Sequence, residues 1–218
     1  MFRYFFLLCS LFLITGCQKQ ERRRDLDDLN SIKKDFLFSI LEGKVEESPF
    51  QMRYVLKTVF FSQDVISLFG EVLIYDHLPH ATFRYEGKTL CRIKGRLTEI
   101  KIWDLFSTEA QREYLRKYCE NSLKGNANAY FSGANPLRER LEYSDIHTFV
   151  INDEFLVVIF QPYTVGGLED GPWEVKIPYE YLKGQWSFTN PFPALLDKTI
   201  SSKSYTSSWD QENYAEKI

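Results

Sequence analysis

The sequence predicts an α+β fold, an antiparallel sheet with one or two packed helices in a single domain. Three observations carry that prediction. Runs rich in β-branched and aromatic residues recur at Phe50–Ser62, Asp64–Asp76 and His147–Phe160, as strands with a buried face require. One internal segment, Thr108–Gly125, combines helical periodicity with a stop and start signal at its two ends. Short turn signals such as Asn152-Asp153 join neighbouring strands, and so tight a link can only make an antiparallel pair.

The elements follow in order. Leu26, Leu29, Ile32, Phe36 and Ile40 fall at helical spacing, with Asp and Asn ahead of them and Gly43 as a stop, a first helix or half-ordered lead-in. The first two apolar runs read as strands. In Ala81–Phe106, Gly87 and Gly95 read as turns between short strands. Thr108 and Gln111 form a capping box, Tyr114, Leu115, Tyr118 and Cys119 line one helix face, and Gly125 ends the helix. Phe155–Phe160 is apolar on both faces and belongs in a sheet interior. Pro162 ends it, Trp173–Ile177 resumes the strand pattern, and Pro178 opens a helical turn that Gly184 closes. Residues 198–218 are polar and Ser-rich, the composition of a flexible tail. No internal repeat is visible.

The 218 residues fit one domain plus appendages. Hydrophobic residues at 44% and aromatics at 16% are ample for a packed core. The 27 basic and 30 acidic residues give a net charge of −3, too even for a nucleic-acid partner.

The N-terminus, MFRYFFLLCSLFLITGCQKQ, has one charge at Arg3, an apolar stretch from Tyr4 to Ile14, then small residues and Cys17. That stretch is too short to span a ~30 Å hydrocarbon core as a helix. It has the layout of a secretory signal peptide. Ile14-Thr15-Gly16-Cys17 resembles the bacterial lipobox, in which the Cys thiol carries diacylglycerol and the peptide is cut before it. The competing reading is an ordinary signal peptide or small anchor that contains a Cys. The resemblance implies lipidation at Cys17 and attachment to a membrane, with several acyl chains at ~0.8 kcal/mol per buried methylene. Gln18, where an Asp commonly marks inner-membrane retention, implies the periplasmic face of the outer membrane. The expected organisation is a signal peptide at 1–16, a lipidated Cys with a charged tether at 17–30, an envelope domain at 31–197 and the tail at 198–218.

Of the four cysteines, Cys9 would leave with the signal peptide and Cys17 would be lipidated, leaving Cys91 and Cys119. In an oxidising compartment these form either a disulfide worth ~3–4 kcal/mol or two buried thiols.

Phe155–Lys183 carries a further resemblance, through Pro162-Tyr163, Gly166-Gly167, Gly171-Pro172 and Ile177-Pro178-Tyr179. It is similar to the domain of unknown function found in the extracytoplasmic part of RsiV-type lysozyme-sensing anti-sigma factors and in some peptidoglycan deacetylases. Lys94–Phe106 resembles the turn, strand and Asp-Leu-Phe step that lead to that family's central helix. The similarity spans about residues 60–185. It implies a module that recognises a lysozyme-like protein or peptidoglycan, with His80 in place of a loop His whose flanking glycines this chain lacks. It implies neither anti-sigma nor deacetylase activity.

Candidate chemistry is sparse. Asp76, His77 and His80 offer two imidazoles and a carboxylate within five residues, the makings of a metal or hydrolase site if a distant ligand joined them; a polar turn is the alternative. Glu169 and Asp170 could do acid–base work or form a solvated acidic tip. No nucleophile elbow, zincin helix or phosphate-binding loop is present, and no cofactor is expected. Tyr163, Trp173, Tyr179 and Trp186 flank the 163–172 loop and either stack on a ligand or pack in the core. With His80, Glu169 and Asp170, the first three make the expected ligand-binding set of a non-enzymatic lipoprotein.

Overall fold

The computed structural model describes residues 28–37, 39–40, 51–75, 82–125, 140–167, 172–187 and 212–214. The chain forms two compact units, Met1–Glu46 and Glu47–Ile218. In the first, α1 (residues 28–37 and 39–40) is the helix that the spacing predicts, with Leu29, Phe36 and Ile40 buried. The second holds the two antiparallel sheets and the remaining helices, so the α+β class holds. Among the described residues no helix is long and apolar enough to cross a membrane.

The first sheet is a meander of β1 (Gln51–Phe61), β2 (Val65–Tyr75), β3 (Thr82–Ile93) and β4 (Arg96–Ile100), with the three-residue β8 (Glu212–Tyr214) added to the β1 edge. β8 lies within the stretch that the composition marks as a tail. A bulge between Thr58 and Phe60 shifts the β1–β2 register. The β3–β4 turn at Lys94-Gly95 has positive φ at both residues, 50° and 80°, which suits the right-handed twist of a tight hairpin.

Gly87, in contrast, is not a turn. It lies inside β3, opposite Phe69, and a Cβ there would sit 2.3 Å from the Phe149 carbonyl oxygen. The glycine allows another strand's backbone to approach, a use that looks like a turn signal in sequence.

That other strand is β5 (Thr148–Ile151), the edge of a second sheet with β6 (Phe155–Phe160) and β7 (Trp173–Pro178) in the order β5-β6-β7. A polar relay ties the sheets together. Ile151 N–H donates to Ser67 Oγ at 3.0 Å, and Ser67 shares a hydrogen bond with Thr89 Oγ1. Because β4 pairs only with Thr89–Ile93, β3 has an unpaired edge at Tyr85. The Gln161 amide fills it, accepting from Tyr85 N–H at 3.0 Å and donating to Tyr85 C=O, as a neighbouring strand would. Buried peptide groups so paired avoid a desolvation cost of about 1–3 kcal/mol each.

As its composition predicts, β6 is buried on both faces. Leu156, Val158 and Phe160 join the main core, while Val157 and Ile159 pack with Phe69 and Tyr85. The β5–β6 turn is one residue later than expected: Ile151 pairs with Leu156, leaving Asp153-Glu154 as the turn pair. Asn152 caps it, its Oδ1 accepting from the N–H groups of Glu154 at 2.8 Å and Phe155 at 2.7 Å.

The main core is closed by α2 (Ile102–Leu105), α3 (Glu109–Lys124) and α4 (Tyr179–Leu182). Thr108 and Gln111 form the capping box of α3 as predicted. Leu115, Cys119 and Leu123 face inward, each leucine worth roughly 1.5–3 kcal/mol of burial. Gln111 Nε2 donates to Trp186 C=O at 2.7 Å and Ser187 N–H to Leu105 C=O at 2.8 Å, fastening the segment after α4 to the start of α3 and to the end of α2.

Candidate functional site

The loop from β6 to β7 is built from a rigid stem upward. Phe160 pairs with Trp173 at the stem, and the Gln161 amide is locked to Tyr85. Thr164 N–H then donates to Gln161 C=O at 3.1 Å, closing a β-turn with Pro162 and Tyr163 at its centre. Pro fixes φ near −65° at the first central position, and Tyr163 has φ +63° at the second. A glycine or asparagine normally occupies that place. Here a tyrosine does, with 64% of its surface exposed. Val165 plugs the core behind it with no exposure.

Gly166 lies flat against Trp173, where a Cβ would be 2.2 Å from the indole ring carbons. Trp173 is only 6% exposed, and its Nε1 is a buried donor with no hydrogen-bond partner among the described residues. This loop therefore presents one aromatic outward and hides the other.

Tyr179 lies at the far end of β7, where Pro178 pairs with Phe155. Its hydroxyl is shared between the Asn152 carbonyl at 2.6 Å and the Phe155 carbonyl at 2.9 Å. Burial, with nearby Asp153, pushes its pKa up. It braces the β5–β6 hairpin and is separated from Tyr163 by the length of a strand. Trp186 is buried and stacked on Phe106, with centroids 6.0 Å apart. Of the expected aromatic set, Tyr163 alone is exposed. His80, Glu169, Asp170, Cys17 and the Asp76–His77–His80 cluster lie outside the described residues.

Cys91 and Cys119 are both buried and free. Burial, aided by Asp64, pushes the Cys91 thiol up to about 11, and burial also raises Cys119. Neither is a nucleophile at neutral pH. Among the described residues no group of three or more His, Cys, Asp or Glu is placed to hold a metal ion. His147 sits beside the Ser144 carbonyl at 2.9 Å.

A charge network on α3 is absent from the sequence reading. Arg116 grips Glu113 with two bonds of 2.8 Å and reaches Glu120 at 2.5 Å. Glu120 also takes Lys124 Nζ at 2.6 Å and Leu141 N–H at 3.4 Å. Burial raises the Glu120 pKa, but these partners outweigh it and the net shift is downward. The Tyr143 hydroxyl serves Glu109 at 2.7 Å and Glu113 at 3.2 Å, and these acceptors push its pKa up to about 12. The spacings of three and four residues along α3 are a readable signal, whereas the reach to Leu141 and Tyr143 is not. The network's partners hold residues 141–143 against α3, a structural task.

Residues 103–180 match the family model described as "Protein of unknown function (DUF3298)". That stretch runs from α2 to α4 and contains the whole β6–β7 loop. A member of the DUF3298 family from Bacteroides fragilis has a similar solved structure, with a TM-score of 0.51 and 17% identity over 82% of this chain and 68% of that one. A DUF3298 family protein from Pseudomonas aeruginosa gives a TM-score of 0.50 at 12% identity, covering 65% of this chain and 64% of its own length. This chain thus spans about two thirds of either. At such identities the likeness concerns the fold. No curated protein matches the chain.

Proposed function

We propose that this chain is a lipid-anchored protein of the bacterial envelope whose domain binds a ligand without transforming it. The ligand is peptidoglycan or a lysozyme-like protein that acts on it. The observation that carries the binding half is the Pro162-Tyr163 turn. A large aromatic is displayed to solvent from a backbone conformation that disfavours it, at the end of a stem held by Gln161 and Trp173. Strain kept at an exposed side chain points to contact with something outside the molecule. Glu169 and Asp170 follow in the same loop, and their charge suits a basic partner, speeding and orienting encounter.

Support for a non-catalytic role comes from four side chains among the described residues, Cys91, Cys119, Glu113 and Glu120. Both thiols are sealed in the core, and Glu113 and Glu120 are engaged by Arg116. Support for anchoring comes from the Arg3 start, the apolar stretch and the small residues before Cys17. Labelled palmitate supplied to cells expressing the chain tests the anchor. The wild type is expected to incorporate label and sediment with membranes, and Cys17→Ser to do neither. Label retained by Cys17→Ser would refute lipidation at this residue.

A further inference from the structure

Three tyrosines meet at the surface between α3 and α4. Tyr114 and Tyr118 stand one turn apart on α3, their ring centroids 6.4 Å apart and planes inclined at 41°. Tyr181 of α4 continues the row, 6.1 Å from Tyr118 and inclined at 51°. Tyr181 is 53% exposed, while the other two are partly buried against the main core. The Tyr114 hydroxyl donates to the Tyr181 carbonyl at 2.8 Å, and Leu182, the next residue, is fully buried. The row is fixed from beneath, so a ligand would immobilise few side chains on binding.

The surroundings indicate what such a row takes. Among the described residues the exposed large hydrophobics are Tyr75, Tyr163 and Tyr181, all tyrosines. No exposed Leu, Ile, Phe or Met extends the row, so the surface is a narrow aromatic strip and not a broad apolar patch. Its rim is polar and carries both charge signs, with Lys117, Asn121, Glu180 and Lys183 exposed. A pyranose ring fits this arrangement. Its C–H groups carry partial positive charge and meet the negative face of an aromatic ring, while its hydroxyls reach polar groups at the edge. We propose that Tyr114, Tyr118 and Tyr181 form a saccharide-binding platform, distinct from the β6–β7 loop, that takes a chain of uncharged pyranose rings.

The test is titration calorimetry of the full chain in detergent with chitotetraose, and separately with cellotetraose and maltotetraose to distinguish sugar sources. Saturable binding of at least one is expected. Tyr181→Ala should weaken it about tenfold or more, and Tyr181→Phe, which keeps the ring, should largely preserve it. Tyr181 is exposed, so both variants should give wild-type circular dichroism. Tyr75→Ala, which removes an exposed tyrosine outside the row, should leave saccharide binding unchanged. Absence of saturable binding for all three sugars would overturn the proposal, as would a Tyr181→Ala variant that binds like the wild type.

Discussion

At Pro162-Tyr163 the turn needs a left-handed residue at its second central position, and a side chain with a Cβ pays roughly 1–2 kcal/mol to adopt it. Two substitutions separate this backbone cost from the ring. Tyr163→Ala removes the ring and keeps the cost, whereas Tyr163→Gly removes both, offset in part by the greater freedom of glycine in the unfolded chain. Urea denaturation is expected to find the Gly variant about 1 kcal/mol more stable than the Ala variant, and both should bind ligand less well. Equal stabilities would show that the turn is not strained. The position was legible as a Pro-Tyr step between a strand and a glycine pair. Its strain was not, because the positive φ at Tyr163 belongs to a turn closed by the Thr164 N–H to Gln161 C=O bond, which the residue types do not announce.

Among the elements, β1, β2, β6, β7 and α3 could be read directly, since their burial pattern follows their residue pattern. The failures arose where a residue's partner is distant in sequence. Gly87 looks like a turn until β5 is seen crossing it, and nothing in the local sequence marks Gln161 as filling the edge of β3, 76 residues away. Gly87→Ala must push its Cβ into the Phe149 carbonyl, a backbone atom that cannot swing aside. A loss of ~3 kcal/mol is expected, read as a lower urea midpoint with unchanged slope. A loss under ~0.5 kcal/mol would mean that the sheets can separate at this point.

The α3 network makes a prediction of pH dependence. The hydrogen bonds from Arg116, chiefly, hold the Glu113 pKa at about 2 against an ordinary 4.5. A carboxylate depressed in this way stabilises the fold fully above its unfolded pKa and loses that contribution as pH falls through its folded one. The window is therefore from about 4.5 down to about 2. Unfolding measured across it should show a shallower loss of stability for Glu113→Gln than for the wild type. Parallel profiles would remove Glu113 from the acid response.

For the molecule as a whole, residue composition and pattern were sufficient for the α+β class, and the motifs at Lys94–Phe106 and Phe155–Lys183 overlap the stretch 103–180 that matches a family model. They did not place the expected ligand-binding residues. Tyr163 and Tyr179, both beside the same strand in sequence, emerge at its opposite ends, and Trp173 turns inward. A strand separates what a motif groups together. The most direct test of a non-catalytic wall-binding role is co-sedimentation of the chain with purified sacculi, bare or loaded with catalytically inactive lysozyme, followed by muropeptide analysis. The chain is expected in the pellet of at least one preparation, with muropeptides identical to those of untreated sacculi. A chain left in the supernatant with both, or the appearance of new muropeptides, would contradict it.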